Sequence, residues 1–281
     1  MRLSLCNEVL QPWDIARQCA FAKAVGYDGL EIAPFTLSDE PHRLSPGEIA
    51  ALRRTVEDSG LAVTGLHWLL MAPKGLSITS PDDAVRSRTR DAILGLMDLA
   101  AGLGARVLVH GSPAQRRPAE GQAYDDAWTK ARDIFASIAP EAAARGLTYC
   151  LEPLARPDNV FVTTVAEAAR MVEEIGAPAF RTMIDASAAG VEEPESVADA
   201  IRRWVPTGLI GHVQLNDRNR RGPGEGTDLF APVIRALRET GYAGDIAIEP
   251  FIYQPDGQAC AARAAGYVRG LMEALSASAP S

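Results

Sequence analysis

Short runs rich in leucine and β-branched residues alternate along the chain with longer Ala/Leu/Arg/Glu stretches of helical period. The short runs fall at 2–6, 28–33, 61–67, 105–110, 147–152, 181–185, 209–215 and 245–249. They follow glycine-containing turns, which predicts strands. Helices are predicted over 12–25, 46–59, 81–103, 121–145, 164–176, 194–204, 228–240 and 257–275. Ser45-Pro46 and Ser80-Pro81-Asp82-Asp83 supply cap-then-first-turn chemistry at two of the helix starts.

Eight strand–helix units in order imply a parallel sheet, because a crossover helix returns each strand to the same edge. Eight such units close into a single (β/α)8 TIM barrel, predicted over 1–275, with the Ala/Ser-rich stretch 276–281 expected to be a disordered tail. The competing architecture, an open doubly wound sheet, announces itself by a glycine-rich phosphate turn after the first strand. Asn7-Glu8-Val9-Leu10 stands there instead. The stretch Gly26-Tyr27-Asp28-Gly29-Leu30-Glu31-Ile32 is echoed by Gly241-Tyr242-Ala243-Gly244 leading to Ile246-Ala247-Ile248-Glu249, as suits a barrel of like units.

Composition narrows the partners. The length of 281 residues suits one barrel of about 250 residues. A formal charge of −8 speaks against nucleic acid and anionic membranes, whose phosphates need a basic surface. Cys6, Cys19, Cys150 and Cys260 show no Cys-x-x-Cys spacing and read as buried reduced thiols. Glu8 interrupts the N-terminus before any signal-peptide apolar region, and no apolar run approaches the roughly 20 residues of a membrane span. A cytoplasmic protein is expected.

The polar residues on the strand runs carry the chemistry. The last residue of a barrel strand points into the C-terminal mouth, where barrel enzymes react their substrates. Those positions hold His67, His110, Glu152, Asp185, His212 and Glu249. A lone strand-end carboxylate is often a salt-bridge partner or a cap for the next helix. Glu152, Asp185 and Glu249 converging on one mouth would repel one another and lose solvation, a cost that one divalent cation removes. With His212 they make an oxygen-rich set with one borderline nitrogen, suited to Mn²⁺, Mg²⁺ or Co²⁺, with Mn²⁺ preferred. His67 and His110, across the barrel, are expected to contact substrate hydroxyls. In the loop 216–228, Arg218, Arg220 and Arg221 among glycines and proline read as a flexible active-site loop rather than a phosphate site, and Arg116 and Arg117 face either an anionic substrate or water.

Leu151-Glu152-Pro153-Leu154, Met183-Ile184-Asp185, His212 to Arg218, Arg221 to Gly226 and Gly241 to Pro250 together resemble the xylose-isomerase-like sugar isomerase/epimerase family. The likeness runs nearly the whole chain and is nearest to ketose 3-epimerases and hydroxypyruvate isomerases. It implies that Glu152, Asp185, His212 and Glu249 bind one metal, and that Arg218 and Asp158 hold substrate oxygens. Asp158 is shorter than the glutamate usual there. Ala188 stands where the family often has a substrate-contacting histidine, three residues after the metal-binding aspartate. The resemblance also implies a homo-oligomer.

The expected activity is isomerisation or epimerisation of a small keto sugar or keto-acid through an enediolate, with Glu152 and Glu249 as the catalytic acid–base pair. A dehydratase acting on a keto-cyclitol or dehydroshikimate-like substrate is the alternative on the same scaffold, since Ala188 leaves room for a bulkier ring. A DNA-repair endonuclease would need more metal ligands and a basic face. A catalytically silent binding module would not need both glutamates.

Overall fold

The computed structural model describes residues 1–157 and 159–277. Eight parallel strands form a closed barrel in chain order: β1 (Leu3–Cys6), β2 (Gly29–Ile32), β3 (Ala62–Leu66), β4 (Val107–His110), β5 (Thr148–Leu151), β6 (Phe180–Asp185), β7 (Ile210–Leu215) and β8 (Ile246–Ile248). The ring shuts where Leu3 and Leu5 of β1 pair with Ile246 and Ile248 of β8. Around it run α1 (Ile15–Ala24), α2 (Pro46–Asp58), α3 (Asp83–Leu103), α4 (Tyr124–Ala144), α5 (Val165–Ile175), α6 (Ala186–Glu192), α7 (Val197–Trp204), α8 (Phe230–Glu239) and α9 (Gly257–Ala277). The single (β/α)8 barrel expected from the alternating pattern is the observed fold.

Local chemistry sets the element ends. Ser45 caps α2 and Glu48 returns a bond to the Ser45 main chain, a reciprocal pair that satisfies two otherwise unpartnered N–H groups, with Pro46 at the first helical position. Thr164 and Glu167 repeat the device on α5, which stops at Gly176 in the left-handed conformation. Two loops depart from expectation. Asn7–Leu10 forms a single 3-10 turn, and α1 begins only at Ile15, capped by Asp14. After β6 there are two helices rather than one. The Asp185 side chain accepts a bond from the Ala188 N–H at 2.7 Å, so α6 starts directly off the strand before α7.

The main apolar core lies between the strands and the inner faces of the helices, as with Ile93, Leu96 and Leu99 of α3 and Phe135 and Ile138 of α4. Strand side chains alternate faces, so Cys150 shares the inward side with Glu152, and Met183 with Asp185. With Val109 these two make a small separate apolar cluster. All four cysteines are buried and free. The helix α9 takes in Ser276 and Ala277, and residues 278–281 of the expected tail lie outside the described residues. No helix among the described residues is long and apolar enough to cross a membrane.

Candidate active site

Glu152 follows β5 directly, Asp185 ends β6 and Glu249 follows β8. Each offers a carboxylate oxygen within 4.8 Å of the other two, and all three residues are buried. Neighbours fix them. Asn216 Nδ2 donates to Asp185 Oδ2 at 2.8 Å and to the Glu249 carbonyl at 3.0 Å, lacing the rims of β6, β7 and β8. Trp68 Nε1 donates to Glu249 Oε1 at 2.9 Å. Trp68 holds a φ of 52°, a left-handed conformation that costs a bulky residue about 1–3 kcal/mol and is kept where surroundings over-determine it. The fully buried Arg116 donates to the main-chain carbonyls of Glu152 and His110. Gly111, just past β4, leaves the space that Glu152 fills: a Cβ there would sit 1.8 Å from Glu152 Oε2.

The site has an unmet need for positive charge. Burial, then the nearby Asp185, push the Glu152 carboxyl well above its usual range, with Arg116 offsetting part of this. Glu249 is raised likewise, by burial and then by Glu152 and Glu8. Burial lifts Asp185 to about 6 even though the Ala188 N–H and Asn216 favour its anion. Glu249 Oε2 is buried without a hydrogen-bond partner. Three desolvated carboxylates around an orphaned acceptor are the chemistry of a hard divalent-cation site.

His212 does not join them. One inward-facing layer further down the barrel, Glu31 of β2 is fully buried; its Oε2 lies 2.7 Å from His212 Nε2 and its Oε1 accepts from Gln214 Nε2 at 2.7 Å. Burial alone would raise the Glu31 carboxyl, but His212, His67 and Gln214 hold it below its ordinary value. His212 is therefore engaged with Glu31 rather than with the carboxylates of the mouth.

The other expected residues divide. His67 is buried with Nε2 2.9 Å from Glu8 Oε2 and 3.7 Å from Glu249 Oε1. Burial would lower its pKa, but Glu8 and then Glu31 draw it above the usual value. The structure places His110 with Nδ1 2.8 Å from the Tyr149 hydroxyl and its ring edge-on to Phe135 of α4. Burial, then Arg116, hold it well below its usual pKa. Neither histidine lines the cavity over the three carboxylates, a space of about 390 Å³ walled in part by Trp68, Glu152, Asp185, Ala188, Arg220 and Glu249. Arg218 reaches that wall with Nε bonded to Asp228 Oδ1 at 2.6 Å. Asp158 lies outside the described residues.

The loop 216–228 is tied rather than loose. Asp217 N–H donates to the Arg221 carbonyl at 2.8 Å, and Asp228 N–H to Asp217 Oδ2 at 3.0 Å. Arg220, in the left-handed region at φ 68°, accepts from the Phe251 and Ile252 N–H groups through its carbonyl. Its guanidinium carbon stands 5.1 Å from the centroid of the Phe251 ring. Arg116, read in sequence as facing substrate or water, is instead buried beneath Glu152.

Glu31, Trp68, Arg116, Asn216 and Arg220 belong to this site and were not singled out for these roles by sequence reasoning. Two signals were present: a lone carboxylate between Leu30 and Ile32 in a strand run, and His212, Gln214 and Asn216 spaced by two along β7.

Residues 19–272 match the family described as xylose isomerase-like TIM barrel. The D-psicose 3-epimerase of Agrobacterium fabrum is 29% identical over 231 residues, covering 81% of this chain and 76% of that protein. The L-ribulose 3-epimerase of Mesorhizobium japonicum is 26% identical over 238 residues, covering 85% and 76%. The crystal structure of D-psicose 3-epimerase with D-tagatose from Clostridium cellulolyticum H10 superposes with a TM-score of 0.82 at 20% identity, covering 97% of this chain and 99% of that one, which speaks for the shared fold.

Proposed function

The chain belongs to the xylose isomerase-like TIM-barrel family, and from that premise we propose that it is a divalent-metal-dependent epimerase of a small ketose or related keto-acid. The convergence of Glu152, Asp185 and Glu249 at the floor of the cavity is the observation that carries this reading. The epimerase names of its relatives favour a ketose and give the dehydratase alternative no support.

Glu152, Asp185 and Glu249 would hold the ion, Mn²⁺ by preference with Mg²⁺ or Co²⁺ as substitutes. A bound divalent cation supplies Lewis-acid polarisation of the substrate carbonyl and offsets the negative charge that develops beside it. Glu152 and Glu249 come from strands three apart in the ring and approach the substrate from two sides. Burial raises both carboxyls above their ordinary range, with Glu152 adding to the rise at Glu249, so each is a stronger proton acceptor than an ordinary glutamate, as an acid–base pair requires. One glutamate takes the proton next to the carbonyl, giving an enediolate, and the other returns a proton to the opposite face. Trp68 holds Glu249 in place through its indole N–H, and Arg116 fixes the main chain under Glu152. Arg220 and Arg218 stand at the cavity wall as donors to substrate hydroxyls or a carboxylate. Ala188 widens the pocket at the place where a histidine would narrow it.

The test is a panel of ketoses incubated with the Mn²⁺-loaded protein in deuterium oxide. The expected product is an epimer carrying one solvent deuteron at the inverted carbon. An enone product, or inversion without exchange, would overturn the proposal. A second expectation concerns Gly111. Gly111→Ala forces Glu152 to shift, and a displacement on the scale of 1 Å costs about 10²-fold in rate. Steady-state kinetics should show the loss in kcat more than in KM; an alanine variant within threefold of the wild type would refute the packing argument.

A further inference from the structure

The inference concerns the ion's last protein ligand and rests on the metal-dependent reading above. The resemblance assigns that place to an imidazole on β7. The geometry points elsewhere: we propose that the amide oxygen of Gln214, not His212, completes the protein's share of the coordination, and that Glu31 is the positioning residue that aims it.

Register comes first. Across β6 and β7, Asp185 pairs with Gln214, whereas His212 pairs with Met183. Both β7 side chains point inward, since both reach Glu31 on β2. Gln214 therefore stands at the level of the carboxylates and His212 one layer beneath. His212 is absent from the groups of ligand atoms that gather within 4.8 Å among the described residues, and its Nε2 lies against Glu31 Oε2.

The amide of Gln214 has only one orientation open to it. Gln214 is fully buried, and its Nε2 donates to Glu31 Oε1 at 2.7 Å. A carboxylate accepts and does not donate, so the NH₂ end faces Glu31 and the oxygen must face away. That oxygen is buried with no hydrogen-bond partner, as is Glu249 Oε2 at the mouth. Buried acceptors are seldom left unpaired, and one cation held at the level of the three carboxylates would satisfy both the Gln214 amide oxygen and the unpaired Glu249 oxygen. The donor set then becomes three carboxylates and an amide oxygen. A set of oxygens alone favours Mg²⁺ and Mn²⁺ over Zn²⁺ and Co²⁺, which gain more from an imidazole.

Pulsed electron paramagnetic resonance of the Mn²⁺-loaded wild-type protein tests this without any substitution. The expected spectrum shows no coupling to a coordinated imidazole nitrogen, and Gln214→His introduces one together with tighter Co²⁺ and Zn²⁺ binding. Titration of Gln214→Ala with Mn²⁺ should show affinity reduced about tenfold or more, the scale on which even the partners of metal ligands act. A coordinated-nitrogen signal in the wild type overturns the inference while leaving metal dependence intact. So does a Gln214→Ala affinity within twofold of the wild type. Failure of the wild type to bind Mn²⁺ removes the inference and the metal-dependent reading together.

Discussion

Glu249→Gln, and separately Glu152→Gln, reduce turnover by about 10³-fold or more, on the scale of losing a general acid–base group and a charged ligand at once. The fold survives either change. Glutamine keeps the shape of glutamate and removes a charge that is buried, crowded and pushed towards its protonated form. The melting temperature of the metal-free protein is therefore unchanged or higher. The two variants also differ from each other. If each glutamate serves one face of the substrate, each variant loses exchange of the substrate proton with solvent for one epimer and retains part of it for the other. Deuterium exchange followed from each epimer by nuclear magnetic resonance checks this. Either variant retaining more than a tenth of wild-type turnover would sink the assignment of the pair.

Removal of metal has an effect of similar size. Chelator-treated protein loses its activity, and Mn²⁺ or Co²⁺ restores it. The pH dependence has a definite sign. Asp185 sits at about 6 and both glutamates are raised, so these three groups hold more protons in the folded chain than in the unfolded one from an ordinary carboxylate value of about 4 upward to at least 6. Their contribution to the stability of the metal-free protein accordingly falls as pH rises through that window, and Glu152→Gln or Glu249→Gln flattens that part of the slope. Cation and proton compete for the same oxygens, so the stabilisation by Mn²⁺ grows over the same interval. Thermal melts at pH 5 and pH 7.5, with and without Mn²⁺, read both slopes. A larger Mn²⁺ stabilisation at pH 5 than at pH 7.5 would contradict the account.

What could be read from sequence was what depends on local chemistry. The eight strand runs, the capped starts of α2 and α3, and the strand-end positions of Glu152, Asp185 and Glu249 all follow from periodicity and turn residues. Levels within the barrel do not. His212 and Gln214 have the same inward parity, and which of them meets Asp185 is set by the stagger of β6 against β7, a property of ring closure rather than of either strand. Facing is equally non-local for His110, which ends β4 yet turns outward to Phe135 of α4. Asp185 shows that two readings need not compete, because one carboxylate both caps α6 and belongs to the acidic cluster. The position of Glu31 was visible, but its partners His67, just after β3, and His212 and Gln214 on β7 were not, since they are distant in the chain.

The carbonyl of Arg220 holds two consecutive N–H groups of the segment after β8, and its guanidinium lies over Phe251. These two rim segments consequently behave as one part with two attachment points. Grafting a relative's specificity onto this barrel by exchanging the stretch after β7 by itself would tear that joint and tilt the anchorage of Glu249. The transplantable unit is the pair, moved as one cassette.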